Sequence, residues 1–166
     1  AQYDTLIHNF LKEENLSNTF SLTYKKHSEM RYGENPHQSA ASYKIPENNE
    51  PNILNAVIHQ GKKLSYNNIM DADGALACVR EFNETACVIV KHANPCGVAI
   101  GDNLLDVYNR AYKADSLSAF GGIIALNRTC TQEVAKAITE IFVEIVLAPN
   151  FAPEALETFK KKKNLR

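Results

Sequence analysis

Ala86-Cys87-Val88-Ile89-Val90-Lys91-His92-Ala93-Asn94-Pro95-Cys96-Gly97 is the stretch on which the fold turns. Its first five residues are uninterruptedly apolar, as in a strand buried on both faces. The run stops at Lys91-His92, and Asn94-Pro95 with Gly97 predicts a tight turn. A buried strand that delivers an ammonium and an imidazole to its carboxyl end suits an open α/β sheet, where ligands bind outside the strand ends. Neighbouring strand residues point to opposite faces. Lys91 and His92 therefore share a pocket only if the strand ends or twists at that point.

Working outward, the periodicity predicts helices and strands in alternation. Apolar residues at Ile69, Ala72, Leu76, Val79 and Phe82 make a helical stripe led in by Ser65-Tyr66-Asn67-Asn68. Asp71 and Asp73 read as carboxylates at the start of that helix, where they favour its dipole. A helix is predicted over 104–112, capped by Asp102 or Asn103, and another begins after Thr131. Residues 123–126 and 143–147 read as strands, and 152–159 as a last helix. Residues 114–122 read as a small-residue loop. The result is a layered α/β design, a mixed or parallel sheet between helices.

The front of the chain reads less regularly. Residues 3–11 carry a helical apolar stripe. Phe20, Leu22 and Tyr24 alternate with polar residues as in a short strand, and 25–30 reads as a loop. Residues 40–43 can extend as a strand, 45–52 is a polar excursion, and 53–59 is a further strand candidate. Arg31-Tyr32-Gly33-Glu34-Asn35-Pro36-His37-Gln38 cannot be helical. So many hydrogen-bonding side chains mark either a binding loop or a well-capped turn.

Composition narrows the function. With 166 residues, 45% hydrophobic and 22% charged, the chain can bury an ordinary globular core. A net charge of −1 gives no reason to expect nucleic acid as a partner, and Lys160 to Lys163 read as a solvated helix end. No apolar stretch is long enough to cross a membrane, and the N-terminus does not resemble a signal peptide. Cys78, Cys87, Cys96 and Cys130 contain no C-x-x-C pair, which fits a reducing cytoplasm.

Three loops, 31–38, 91–97 and 115–122, follow or precede the predicted strands and are expected to meet at one mouth. They offer a guanidinium, a phenol, an imidazole, an ammonium and glycine-rich backbone. That set fits an anionic small molecule handled by His92 as general base or acid, with Lys91 as electrostatic stabiliser. His92 taken alone also fits a histidine that caps a strand. A zinc nucleobase deaminase would need H-x-E and P-C-x-x-C. Here Pro95-Cys96 is followed by Gly97, Val98 and Ala99, and His92-Ala93-Asn94 has no glutamate. No metal is expected.

The 31–38 stretch, Lys91-His92-Ala93-Asn94-Pro95-Cys96-Gly97 and Ser118-Ala119-Phe120-Gly121-Gly122, in this order, closely resemble the bacterial bifunctional purine biosynthesis family. That family joins a formyltransferase acting on aminoimidazole carboxamide ribonucleotide (AICAR) to an IMP cyclohydrolase. The resemblance covers essentially the whole chain and falls in the formyltransferase portion. It implies a linker helix over 1–18 and the first part of the formyltransferase domain over 19–166, without the cyclohydrolase domain. It also implies a cytidine deaminase-like three-layer α/β/α fold with a mixed sheet. The implied reaction moves a formyl group from 10-formyltetrahydrofolate to the 5-amino group of AICAR. By resemblance His92 accepts the proton and Lys91 stabilises the transition state. Arg31 and Tyr32 match the substrate-binding pair, Gly121 a position where backbone approaches the nucleotide, and Glu144 a position where some relatives carry Asp in substrate contact. The resemblance further implies a cytoplasmic homodimer, and this chain alone is expected to be inactive. The alternative from another class is a non-catalytic nucleotide-binding or assembly module of the same fold.

Overall fold

A computed structural model describes residues 2–11, 22–45 and 50–166. In chain order its elements are α1 (Gln2–Leu11), β1 (Lys25–Glu29), β2 (Ala41–Lys44), α2 (Tyr66–Arg80), β3 (Thr85–Lys91), β4 (Asn94–Gly101), α3 (Leu104–Ala114), α4 (Ser116–Ala119), β5 (Ile123–Leu126), α5 (Gln132–Thr139), β6 (Ile145–Leu147) and α6 (Pro153–Phe159). The remainder of the expected linker helix, and Phe20 of the expected first strand, lie outside the described residues.

The chain is α/β, built on a mixed sheet in the order β4-β3-β5-β6. β3 pairs antiparallel with β4 and β5, whereas β5 and β6 run parallel. The apolar run of β3 divides by alternation. Ala86, Val88 and Val90 pack with Ile53 and with Ala72, Ala75 and Val79 of α2. Cys87 and Ile89 pack on the other side with Val107 and Ala111 of α3, Val134 and Ile138 of α5 and Phe159 of α6. A strand covered on both faces has no polar side to show, which is why its sequence reads as continuous rather than alternating.

The helix starts follow their caps. Ser65 and Asn68 form a reciprocal capping box on α2, Asn103 accepts from Asp106 N–H on α3, and Thr131 accepts from Val134 N–H on α5. No acidic residue falls in the first turn of α2, so Asp71 and Asp73 do not serve its dipole as expected. The segment 115–122 is partly ordered, because Asp115 caps the single turn of α4. β6 is shorter than the expected strand and excludes Val143 and Glu144.

Three expectations fail for identifiable reasons. Lys25–Glu29 is a strand where a loop was expected over 25–30, and Leu22 to Tyr24, expected in a strand, have no regular structure. β1 and β2 form a separate two-stranded sheet, and all five residues of β1 are exposed, so pairing there leaves no apolar alternation to read. Residues 53–59 are not a strand: Asn52 caps a short 3-10 turn at Ile53–Asn55, and only Ile53 is buried while Val57 is 78% exposed. Asn94-Pro95 does not make the turn but opens β4. Pro95 has no N–H to give, and β4 is an edge strand that tolerates it.

The cysteines are free. Burial pushes the Cys87 and Cys130 thiols up to about 12. Held protonated by burial, neither thiol offers the nucleophilic thiolate at neutral pH. Cys78 and Cys96 are only half-buried, and burial raises their thiols to a lesser extent. Iodoacetamide is therefore expected to label Cys78 and Cys96 in the native protein and Cys87 and Cys130 only on unfolding. Mass spectrometry of the labelled peptides checks this, and native labelling of Cys87 as fast as Cys96 would contradict the packing.

Candidate functional site

β3 ends at Lys91, and the chain reverses through His92 and Ala93 into β4, with Lys91 opposite Asn94. Both turn residues are left-handed, at φ 52° and 59°. A two-residue hairpin loop with positive φ at both positions matches the twist of its flanking strands, but Asn-Gly or Asp-Gly usually fills it. Histidine and alanine at left-handed positions each cost about 1–2 kcal/mol. Strain kept at such a point is a signature of functional sites. The left-handed backbone at His92 also breaks strand alternation, so the opposite-face objection to a shared Lys91–His92 pocket falls away. One step further along β4, Cys96 is an extra residue, since Val90 pairs with Pro95 and Ile89 with Gly97. Such bulges re-aim side chains beside active sites.

The turn is held from two directions. Asn94 Nδ2 donates to the His92 carbonyl at 2.9 Å, within the hairpin. The Ala93 N–H donates to Asp71 Oδ1 at 2.7 Å, from α2. Lys91 Nζ donates to the Phe120 carbonyl at 2.5 Å, which joins the hairpin to the 115–122 segment. An ammonium has three donors, so this leaves two for a ligand. The His92 imidazole has no hydrogen-bond partner among the described residues.

Residues 31–38 form a closed loop. Gly33 N–H donates to the Gln38 carbonyl and Gln38 N–H to the Asn35 carbonyl. The Gln38 side chain accepts from Asn35 N–H at 2.8 Å. The Arg31 guanidinium lies 5.2 Å from the Tyr32 ring centroid, a cation–π distance. The start of α2 fixes this loop as well: Tyr66 N–H donates to the Tyr32 carbonyl, and Asn67 Nδ2 to that of Glu34 at 3.2 Å.

Gly121 has φ +72°, a conformation L side chains rarely adopt, and its N–H donates to the Phe142 carbonyl at 2.8 Å. Glu144 is half-buried, and a carboxylate there needs polar partners. It finds them in Asn68 Nδ2 at 2.6 Å and Arg166 Nη1 at 3.5 Å, both on Oε2.

The first turns of α2 are thus a hub. Tyr66 and Asn67 hold the 31–38 loop, Asn68 holds Glu144, and Asp71 holds the turn beside His92. The sequence singles out Lys91 and His92 by chemistry, and Arg31, Tyr32, Gly121 and Glu144 by family resemblance, but not the hub residues that hold them. The spacing of Asn67, Asn68 and Asp71 on one helix start was their available signal. Among the described residues no group of three or more His, Cys, Asp or Glu is placed to hold a metal ion.

A family model described as the AICARFT/IMPCHase bienzyme matches residues 1–166. The chain belongs to this family. The bifunctional purine biosynthesis protein PurH of Bacillus cereus strain B4264 is 52% identical to it over 169 aligned positions, 100% of this chain and 33% of that protein. PurH of Bacillus anthracis strain CDC 684 / NRRL 3495 is 51% identical with the same coverage. The chain thus spans about one third of the length of the curated relatives it matches.

Proposed function

We propose that this chain carries part of the formyltransferase site of a purine biosynthesis enzyme, rather than of the cyclohydrolase site. The observation that supports this reading most is the Lys91-His92 pair at a strained turn on the end of a buried strand. In this reading a formyl group passes from 10-formyltetrahydrofolate to the 5-amino group of AICAR.

The chemistry asks for two groups. The amine is a weak nucleophile, because its lone pair is delocalised into the imidazole and carboxamide. It must shed a proton as its nitrogen bonds to the formyl carbon. His92 takes that proton. The carbonyl oxygen becomes an oxyanion as the tetrahedral intermediate forms, and the Lys91 ammonium, held by the Phe120 carbonyl, stabilises it. The intermediate then collapses, the bond to the folate nitrogen breaks, and the proton held by His92 is available to that leaving nitrogen.

Arg31 and Tyr32 bind the nucleotide in this reading, with Gly121 presenting backbone to it. Glu144 contacts substrate through Oε1, since Oε2 already serves Asn68 and Arg166. The mixed-sheet α/β build agrees with a cytidine deaminase-like fold. The working protein is a cytoplasmic homodimer, and this chain by itself is inactive. The test is formyl transfer from 10-formyltetrahydrofolate to AICAR by a full-length protein carrying this chain, followed by release of tetrahydrofolate. Turnover supports the reading, and a folded full-length protein without it overturns it.

A further inference from the structure

We propose that Asp71 is a positioning residue for His92: by accepting the Ala93 N–H, its carboxylate holds the turn left-handed and aims the imidazole. The inference rests on the formyl-transfer reading above.

A charged acceptor makes a strong hydrogen bond to a backbone N–H, and at 2.7 Å this one is short. It is the one hydrogen bond, among the described residues, that ties the backbone of the His92-Ala93 turn to an element outside its own hairpin. The bond from Asn94 to the His92 carbonyl moves with the hairpin and fixes nothing relative to the rest of the site. Asp71, by contrast, sits in the second turn of α2, whose first turn holds the 31–38 loop. One turn further along, α2 passes the same turn, and a Cβ built on Gly74 would stand 4.0 Å from the Ala93 carbonyl oxygen, an ordinary contact. The same rigid helix therefore sets both the expected nucleotide loop and the expected base. Positive φ at two consecutive residues without glycine is uncommon, and the Asp71 acceptor supports it from outside the hairpin.

The test compares Asp71→Ala and Asp71→Asn in a full-length protein carrying this chain. Misplacing a catalytic group by about 1 Å costs up to about a hundredfold in rate. Asp71→Ala is expected to lower kcat ten- to a hundredfold with KM for AICAR changed less than about twofold. Asp71→Asn keeps an acceptor oxygen and is expected to restore most of kcat. In the 166-residue chain, the Ala93 amide should be protected from hydrogen exchange both in the unaltered sequence and in Asp71→Asn, and open in Asp71→Ala. Unchanged kcat in Asp71→Ala, a loss confined to KM, or a loss that Asp71→Asn does not rescue would overturn the inference. So would free exchange of the Ala93 amide in the unaltered chain, a result that needs no variant to fold. His92→Ala measured alongside separates the two readings. Turnover kept in His92→Ala refutes the formyl-transfer assignment of His92, whereas turnover lost there but kept in Asp71→Ala refutes only the positioning role.

Discussion

Gly97→Ala is expected to destabilise the fold by about 3 kcal/mol or more, at or above the usual range for overpacking. A Cβ built on Gly97 would stand 2.0 Å from the Ala111 carbonyl oxygen and 2.9 Å from its carbon. The obstacle is helix backbone, which cannot rotate aside as a side chain can. Relief requires α3 to move off β4. That shift would disturb the packing of Val107 and Ala111, both in the core against β3. For a chain of this size each kcal/mol is about 2–4 °C in Tm, so a fall of at least about 6–12 °C is expected on thermal unfolding. Gly74→Ala is the control, because a Cβ there meets only the Ala93 oxygen at 4.0 Å, an ordinary contact. Replacing a helical glycine with alanine gains about 0.5–1 kcal/mol. Opposite signs at the two glycines would support the packing, and equal tolerance would show that α3 does not lie against β4 in this way.

His92→Ala in a full-length protein carrying this chain is expected to lower kcat by about 10²–10⁴, the usual worth of general acid–base catalysis. The amine would have to lose its proton to water. Nucleotide affinity should change little, because Arg31 and Tyr32 stand on a separate loop. Lys91→Met should cost about 10²–10³, as expected for an oxyanion stabiliser. It would also free the Phe120 carbonyl, so its effect on stability must be measured alongside. A binding or assembly module would have no turnover to lose, and that alternative makes the pair of variants decisive.

What the sequence could reveal depended on where the deciding physics lay. β3 was legible because burial on both faces writes itself as Ala86 to Val90. The starts of α2, α3 and α5 were legible because Ser65, Asn103 and Thr131 satisfy helix N–H groups locally. β1 was not, since its pairing is carried by backbone while Lys25 to Glu29 face solvent. The hairpin was misplaced by two residues: Asn94-Pro95 has the composition of a turn, yet the turn fell on His92-Ala93, whose residue types argue against it. The contact from Asp71 to the Ala93 N–H comes from a distant part of the chain, and no local pattern displays it. Lys91 and His92 stood out by residue type, whereas Gly121 and Glu144 rest on the family resemblance alone. The hub that organises them did not stand out, because Asn67, Asn68 and Asp71 read as an ordinary helix start.

The most direct test of the account is an NMR titration of this chain with AICAR, following the amides of Tyr32, His92 and Gly121. The three loops share the α2 hub and the Lys91–Phe120 link, so the account predicts that all three amides shift along one binding curve, and that Arg31→Ala weakens all three together. A folded chain in which they do not shift, or in which they report different dissociation constants, would contradict a preformed common site.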